Sequence, residues 1–251
     1  MSKNQLDNLA KHLRERFGGD TEIISLKGTG WNPRCHIETD ILTNSGRLRL
    51  FLKALKPEMQ EAEIYAYEHI LPLVGIRVPH FYGRFPDHEL MTQWIILEHV
   101  DGRWIHPTEE TEVIKVFEIF GRLHGASIAI TPSTKSAAID SFTFPCVWEK
   151  HEIPKRRNLL ETYASGLGLD KRIVKTFDQN FLYLRKSPKA WIHVDNDISN
   201  ILTTDNGICL IDWELFSWAP PALDLGQLVS NFPNGQNIEY SQAYSRGYRG
   251  Y

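Results

Sequence analysis

The chain has 251 residues, 42% hydrophobic and 24% charged, with a formal net charge of −3 at pH 7, which suffices to bury a sizeable core in one large domain or two small lobes. That slight acidity supplies no basic field of the kind nucleic-acid binders carry, and no apolar run approaches membrane-spanning length, so neither partner is expected. Three cysteines, Cys35, Cys146 and Cys209, far apart and odd in number, argue against a disulfide framework or a clustered metal site and for a reducing cytoplasm.

The N-terminus, MSKNQLDNLAKHLRERF, predicts an amphipathic polar helix without the apolar core of a signal segment. Thr21 to Leu26, about Arg34 to Leu42, and Arg47 to Leu55 predict strands, with Asn44-Ser45-Gly46 turning between the last two. Between the first two strands stands Lys27-Gly28-Thr29-Gly30-Trp31. Small residues at such a tip let backbone amides approach phosphate oxygens. A Gly-x-Gly turn is as readily a plain turn, and no Gly-Lys-Ser or Gly-Lys-Thr follows to make a Walker A loop. In the third strand, alternation sets Leu48, Leu50 and Leu52 on one face and Arg49, Phe51 and Lys53 on the other. Lys53, at the strand's end, can reach into a cleft; Lys56, beside Pro57, is expected to be solvated.

Pro57 to Leu71 predicts a helix, and Phe81-Tyr82-Gly83 and Gln93 to Val100 return to extended structure. Asp101-Gly102 breaks the chain. Thr108 to Ile130 predicts a long helix from the spacing of Val113, Val116, Phe117, Phe120 and Leu123. Two more helices are expected at about Trp148 to Ser165 and Asp170 to Lys186. The first hundred residues are thus strand-rich and the remainder mostly helical, an α+β organisation without internal repeats.

The chemistry concentrates in WIHVDNDISNILTTDNGICLIDWE, residues 191–214. Asn200 to Thr203 and Ile208 to Ile211 read as a hairpin closed at Thr204-Asp205-Asn206-Gly207, Asn-Gly being a strong hairpin signal. The hairpin brings Asn200 and Asp212 together at one end. Phosphoryl transfer requires a carboxylate to orient the attacking hydroxyl, with an amide and a second carboxylate to hold a metal on the phosphates. Asp195, Asn200 and Asp212 fit those roles, although Asp195 and Asp212 taken singly are as easily turn residues.

This segment resembles the catalytic block of the aminoglycoside phosphotransferase and choline kinase superfamily, whose loop runs His-x-Asp-x-x-x-x-Asn and is followed by an apolar strand ending in Ile-Asp-Trp-Glu or similar. The corresponding residues are His193, Asp195, Asn200 and Ile211-Asp212-Trp213-Glu214, and Pro220-Pro221-Ala222-Leu223-Asp224-Leu225 resembles a third block of the family. Val194 replaces a frequent glycine and Asp197 a frequent second histidine. The resemblance implies a two-lobed protein-kinase-like fold, a small antiparallel-sheet lobe over residues 1–100 and a larger, mainly helical lobe over 101–251. It implies ATP or another nucleoside triphosphate and Mg2+ as cofactors, and a small-molecule hydroxyl as acceptor.

By the same resemblance Asp195 is catalytic, Asn200 and Asp212 ligate the metal, and His193 braces the loop. Lys53 contacts the phosphates and pairs with a helix glutamate, Glu61 by the family's pattern with Glu63 as the fallback. Gly28 and Gly30 cover the phosphates, and Glu98 and Val100 present hinge main chain to the base. An acidic rim of Asp195, Asp197 and Glu214 favours a cationic or hydroxyl-rich substrate. Trp148, Trp191, Trp213, Trp218 and Tyr240 are candidates for cation–π contact or, as bulky aromatics, for the core. The rival reading is a kinase-fold regulatory protein that holds nucleotide without transferring phosphate; it rests on Val194 and Asp197. Protein kinases are disfavoured because His-Arg-Asp, Asp-Phe-Gly and Ala-Pro-Glu motifs are missing.

Overall fold

The computed structural model describes residues 3–29, 36–57, 59–87, 92–127, 129–130, 157–159, 161–162, 175–176, 179–180, 183, 186–232 and 237–250. Five strands, β1 (Glu22–Thr29), β2 (His36–Thr43), β3 (Gly46–Ala54), β4 (Phe81–Asp87) and β5 (Thr92–Glu98), form one antiparallel sheet in the order β1-β2-β3-β5-β4. Gly46 closes the predicted turn at φ 119°, a conformation glycine adopts without steric cost. Helix α1 (Lys3–Phe17) lays Leu9 and Leu13 against Leu50, Leu52 and Trp94 of the sheet in one core. The alternation read in β3 holds: Leu50 and Leu52 enter this core, while Phe51 packs on the opposite side against a second core and Lys53 is buried.

The helix expected over 57–71 starts later and is interrupted. It runs as α2 (Gln60–Tyr65), a π-helical turn (Ala66–Ile70) and α3 (Leu71–Val74), ending at Gly75 in the left-handed region. Pro72 in the first turn of α3 has no N–H to continue the α ladder, and the widened turn before it absorbs the missing bond. Of the helices expected at 148–165 and 170–186, the described residues are helical and the others lie outside the described residues. Among the described residues no helix is long and apolar enough to cross a membrane.

Helix α4 (Glu110–Ala126) buries Val113, Val116, Phe117, Phe120 and Leu123 in the second core. Around it lie short strands, β6 (Arg103–Trp104), β7 (Ala190–Ile192), β8 (Ile201–Thr204), β9 (Gly207–Leu210) and β10 (Ser217–Ala219), and helices α5 (Ala222–Asn231) and α6 (Ile238–Arg249). Trp191, Trp213 and Tyr240 belong to this core and Trp218 packs against it, so they are core aromatics rather than a cation-binding cage; Trp148 lies outside the described residues.

Helices α4 and α6 touch backbone to backbone through glycines. A Cβ on Gly121 would stand 2.1 Å from the Tyr244 carbonyl oxygen, and one on Gly247 would stand 2.0 Å from that of Glu118. Alanine ordinarily stabilises a helix interior by about 0.5–1 kcal/mol over glycine, but here the methyl has to displace a neighbouring helix, a cost of about 1–3 kcal/mol. The clash wins. Gly247→Ala is therefore expected to lower the thermal midpoint by several degrees, and an unchanged or raised midpoint in a melting experiment would contradict this packing.

Candidate active site

The hairpin forms in the expected register, Ile201 opposite Leu210 and Thr204 opposite Gly207. A single 3₁₀ turn, Ile198–Asn200, precedes it, and the Ile211 N–H donates to the Asn200 carbonyl at 3.0 Å, tying the two metal-ligand candidates to one end of the hairpin. Asp197 caps that turn: its Oδ1 accepts from the Ser199 N–H at 2.9 Å and hydroxyl at 2.8 Å. Its carboxylate is exposed and engaged locally, so the acidic rim read from sequence loses this member.

The loop between β7 and the 3₁₀ turn is held by Asp224, fully buried in the first turn of α5. Its two oxygens accept from the backbone N–H groups of His193 (2.9 Å) and Val194 (2.8 Å), and His124 Nε2 lies 3.0 Å from Oδ2. His193 Nε2 donates to the Ile211 carbonyl at 2.9 Å, a brace from loop to hairpin. Val194 sits at φ 74°, where a β-branched side chain is strained, and the frequent glycine of this position would not be. Buried packing of Val194 and its N–H bond to Asp224 hold the loop in that shape regardless. Asp224→Ala should strand two buried N–H groups at about 1–3 kcal/mol each, so a loss of roughly 2–5 kcal/mol is expected in denaturant titration. A loss under about 1 kcal/mol would show that the loop is held otherwise.

Lys53 Nζ donates to both Glu63 oxygens (2.9 and 2.8 Å) and to Asp212 Oδ1 (2.5 Å), with Glu214 at 4.0 Å. The helix partner is therefore Glu63, which is buried, and not Glu61, which lies on the exposed face. Residues two apart on a helix point in nearly opposite directions, so only one of the two glutamates can face the strand. Lys56 is not solvated as expected; it donates to Glu214 Oε1 at 3.2 Å. Burial alone would favour a neutral Lys53, but Glu63, Asp212 and Glu214 together outweigh it and raise its pKa. Burial, reinforced by Asp212, likewise raises the Glu63 carboxyl although Lys53 opposes the shift.

Ligand oxygens of Asp195, Asp212 and Glu214 lie within 4.8 Å of one another. Asn200 donates its amide Nδ2 to the Asp195 carbonyl at 2.8 Å, which commits the nitrogen end and leaves Oδ1 to ligate. Hard oxygen donors of this kind suit Mg2+. Glu214 was expected at a substrate rim; its buried place beside Lys53 and Lys56 sets it with the metal-ligand candidates. Burial raises the Asp195 carboxyl above its ordinary value, and Asp212 and Glu214 add to this against the opposing effect of His193.

A cavity of about 430 Å³ opens in front of these groups, with Lys53, Glu63, Asn200 and Asp212 at one end and Glu98, His99 and Val100 at the other. Phe51 and Leu97 from the sheet and Leu202 and Ile211 from below wall it. The Glu98 carboxylate is taken by Arg77 (2.8 and 2.5 Å) and by the His80 N–H (3.0 Å), and its own N–H donates to the His80 carbonyl at 2.8 Å, so of its main chain the carbonyl is what remains for the cavity. Gly28 lies within β1 opposite Ile37, exposed and outside the lining of this cavity, and Gly30 lies outside the described residues, so the expected phosphate cover by Gly28 is not seen at the cavity.

Residues 39–251 match the model of a phosphotransferase enzyme family. No curated protein sequence matches the chain. Among solved structures, the chain is similar to an amicoumacin kinase in complex with AMP-PNP, Ca2+ and Ami (TM-score 0.62, 16% identity, 99% of this chain and 78% of that one). It is similar also to a choline kinase from Cryptosporidium parvum Iowa II (TM-score 0.60, 15% identity, 97% and 78%). A third is a spectinomycin phosphotransferase in complex with ADP and spectinomycin (TM-score 0.54, 15% identity, 96% and 79%). At such identities the likeness establishes the kinase-like α+β fold.

Proposed function

Since the chain belongs to this phosphotransferase enzyme family, we propose that it transfers the γ-phosphoryl group of ATP, or of another nucleoside triphosphate, to a hydroxyl of a small molecule. In this reading residues 1–100 form the nucleotide-covering lobe and 101–251 carry the catalytic loop and acceptor site. The observation that carries it is the carboxylate cluster of Asp195, Asp212 and Glu214 next to the Lys53–Glu63 pair, with Asp212, Lys53 and Glu63 lining the cavity.

Asp195 orients the acceptor hydroxyl and takes its proton late in transfer, while Lys53, positioned by Glu63, meets phosphate oxygens. Asn200, Asp212 and Glu214 are the residues that would hold Mg2+, which when bound neutralises charge on the phosphates. The Glu98 carbonyl and the Val100 main chain face the base in this reading. The acceptor is a hydroxyl-bearing small molecule. The rival, a nucleotide-holding protein without transfer, loses support because Val194 keeps the loop on Asp224 despite its strain.

The test is release of ADP from ATP and Mg2+ against a panel of aminated sugars, macrolides and quaternary-ammonium alcohols. Acceptor-dependent release that EDTA abolishes is expected. Nucleotide binding with no acceptor-dependent release across the panel would favour the rival.

A further inference from the structure

Among the described tryptophans, Trp94, Trp191 and Trp213 are at most 1% exposed, whereas Trp104 is 66% exposed. A single exposed indole is ordinary on a protein surface, but this one lines the cavity that also holds Lys53 and Asp212. Its backbone is firmly placed. Trp104 pairs with Leu202 and Arg103 with Thr203 across β6 and β8, and the Ile105 N–H donates to the Ile201 carbonyl at 3.1 Å. Arg103 is clamped by Glu109 (2.7 Å) and Glu112 (2.8 Å), and Glu112 also accepts from the Thr203 hydroxyl at 2.9 Å. Just before it, Gly102 passes so close to β8 that a Cβ there would stand 2.9 Å from the Thr203 carbonyl oxygen. The indole therefore projects from a fixed backbone, and it lines the same cavity as Lys53 and Asp212.

The cavity's polarity sets which part of a nucleotide reaches this indole. Phosphates belong with the lysine and the carboxylate cluster; a base fits between Phe51 and Leu97 on one side and Leu202 and Ile211 on the other. Trp104 lies toward the hinge, next to Val100 and Gly102 in the lining. We propose that Trp104 is a nucleotide-positioning residue, covering the ribose and outer edge of the base of a nucleoside triphosphate by apolar packing. This rests on the phosphotransferase reading above.

The experiment measures Kd for Mg2+-ATP and for Mg2+-tripolyphosphate with the wild-type chain, Trp104→Ala and Trp104→Phe, along with acceptor KM. Loss of this packing should raise the ATP Kd by about 5- to 30-fold in Trp104→Ala, with most affinity restored in Trp104→Phe. Tripolyphosphate, which lacks the nucleoside, should bind all three alike, and acceptor KM should not move. An unchanged ATP Kd in Trp104→Ala overturns the assignment, whether acceptor KM or self-association changes instead. Equal weakening of tripolyphosphate overturns it too, because the effect would then be general damage to the site. If the wild-type chain binds no nucleotide, the phosphotransferase reading itself fails.

Discussion

Asp195→Asn is expected to fold, to bind Mg2+-nucleotide, and to lose turnover by about 10²- to 10⁴-fold, the scale of a positioned acid/base group. The side chain does not hold the loop together: Asn200 bonds to the Asp195 main-chain carbonyl, and the loop hangs on Asp224 and His193. The amide keeps the size of the carboxylate and removes its basicity, so the loss should appear in kcat rather than in nucleotide affinity. Burial and two neighbouring carboxylates raise the Asp195 pKa. Acting as a base requires the deprotonated form, so the acidic limb of kcat/KM that Asp195 supplies should disappear in the variant. Near-normal turnover of Asp195→Asn at saturating substrates would remove it from the mechanism.

Where the sequence was legible, a local rule fixed the geometry. Alternation in β3 sorted Leu50 from Lys53, and Asn206-Gly207 closed a hairpin that could meet only in one register, so Asn200 and Asp212 had to share an end. The glutamate choice failed because it depended on helix phase, which a motif match does not supply. A better signal was present: Glu63 is in step with Ala66, Tyr67 and Ile70, three to four residues apart and all buried, and a charge on an apolar stripe marks a buried partner. Lys56 was misjudged for a different reason. Its partner Glu214 is 158 residues away, and no local pattern encodes a contact across the cleft. The glycine contacts of α4 with α6 and the placing of Trp104 are likewise tertiary facts, since each depends on which backbone lies opposite.

Lys53→Ala should be the most damaging single change, because one cation serves three carboxylates. Lys53 is 4% and Glu63 1% exposed, and removing one partner of a buried ion pair costs about 3–5 kcal/mol by leaving the other charge uncompensated. Asp212 loses its counter-charge at the same stroke and then repels incoming phosphates, while Glu63, no longer opposed by Lys53, is pushed toward its protonated form by burial. Nucleotide Kd should rise roughly ten- to hundredfold, the worth of a charged hydrogen bond. Adding Glu63→Gln removes the need to hold a buried carboxyl protonated and should restore part of the stability, most at alkaline pH, whereas Glu61→Gln should restore none. The pH dependence gives an independent check. Glu63 is raised from 4.5 to about 7, by burial first and by Asp212 next, so it binds its proton more tightly folded than unfolded. Its contribution to stability is then full below 4.5 and lost as pH rises through about 7. In the otherwise wild-type chain Glu63→Gln should flatten that slope in denaturant titrations across this range. A slope untouched by Glu63→Gln, or rescue of Lys53→Ala by Glu61→Gln instead, would mean that the buried cluster is not wired through Glu63.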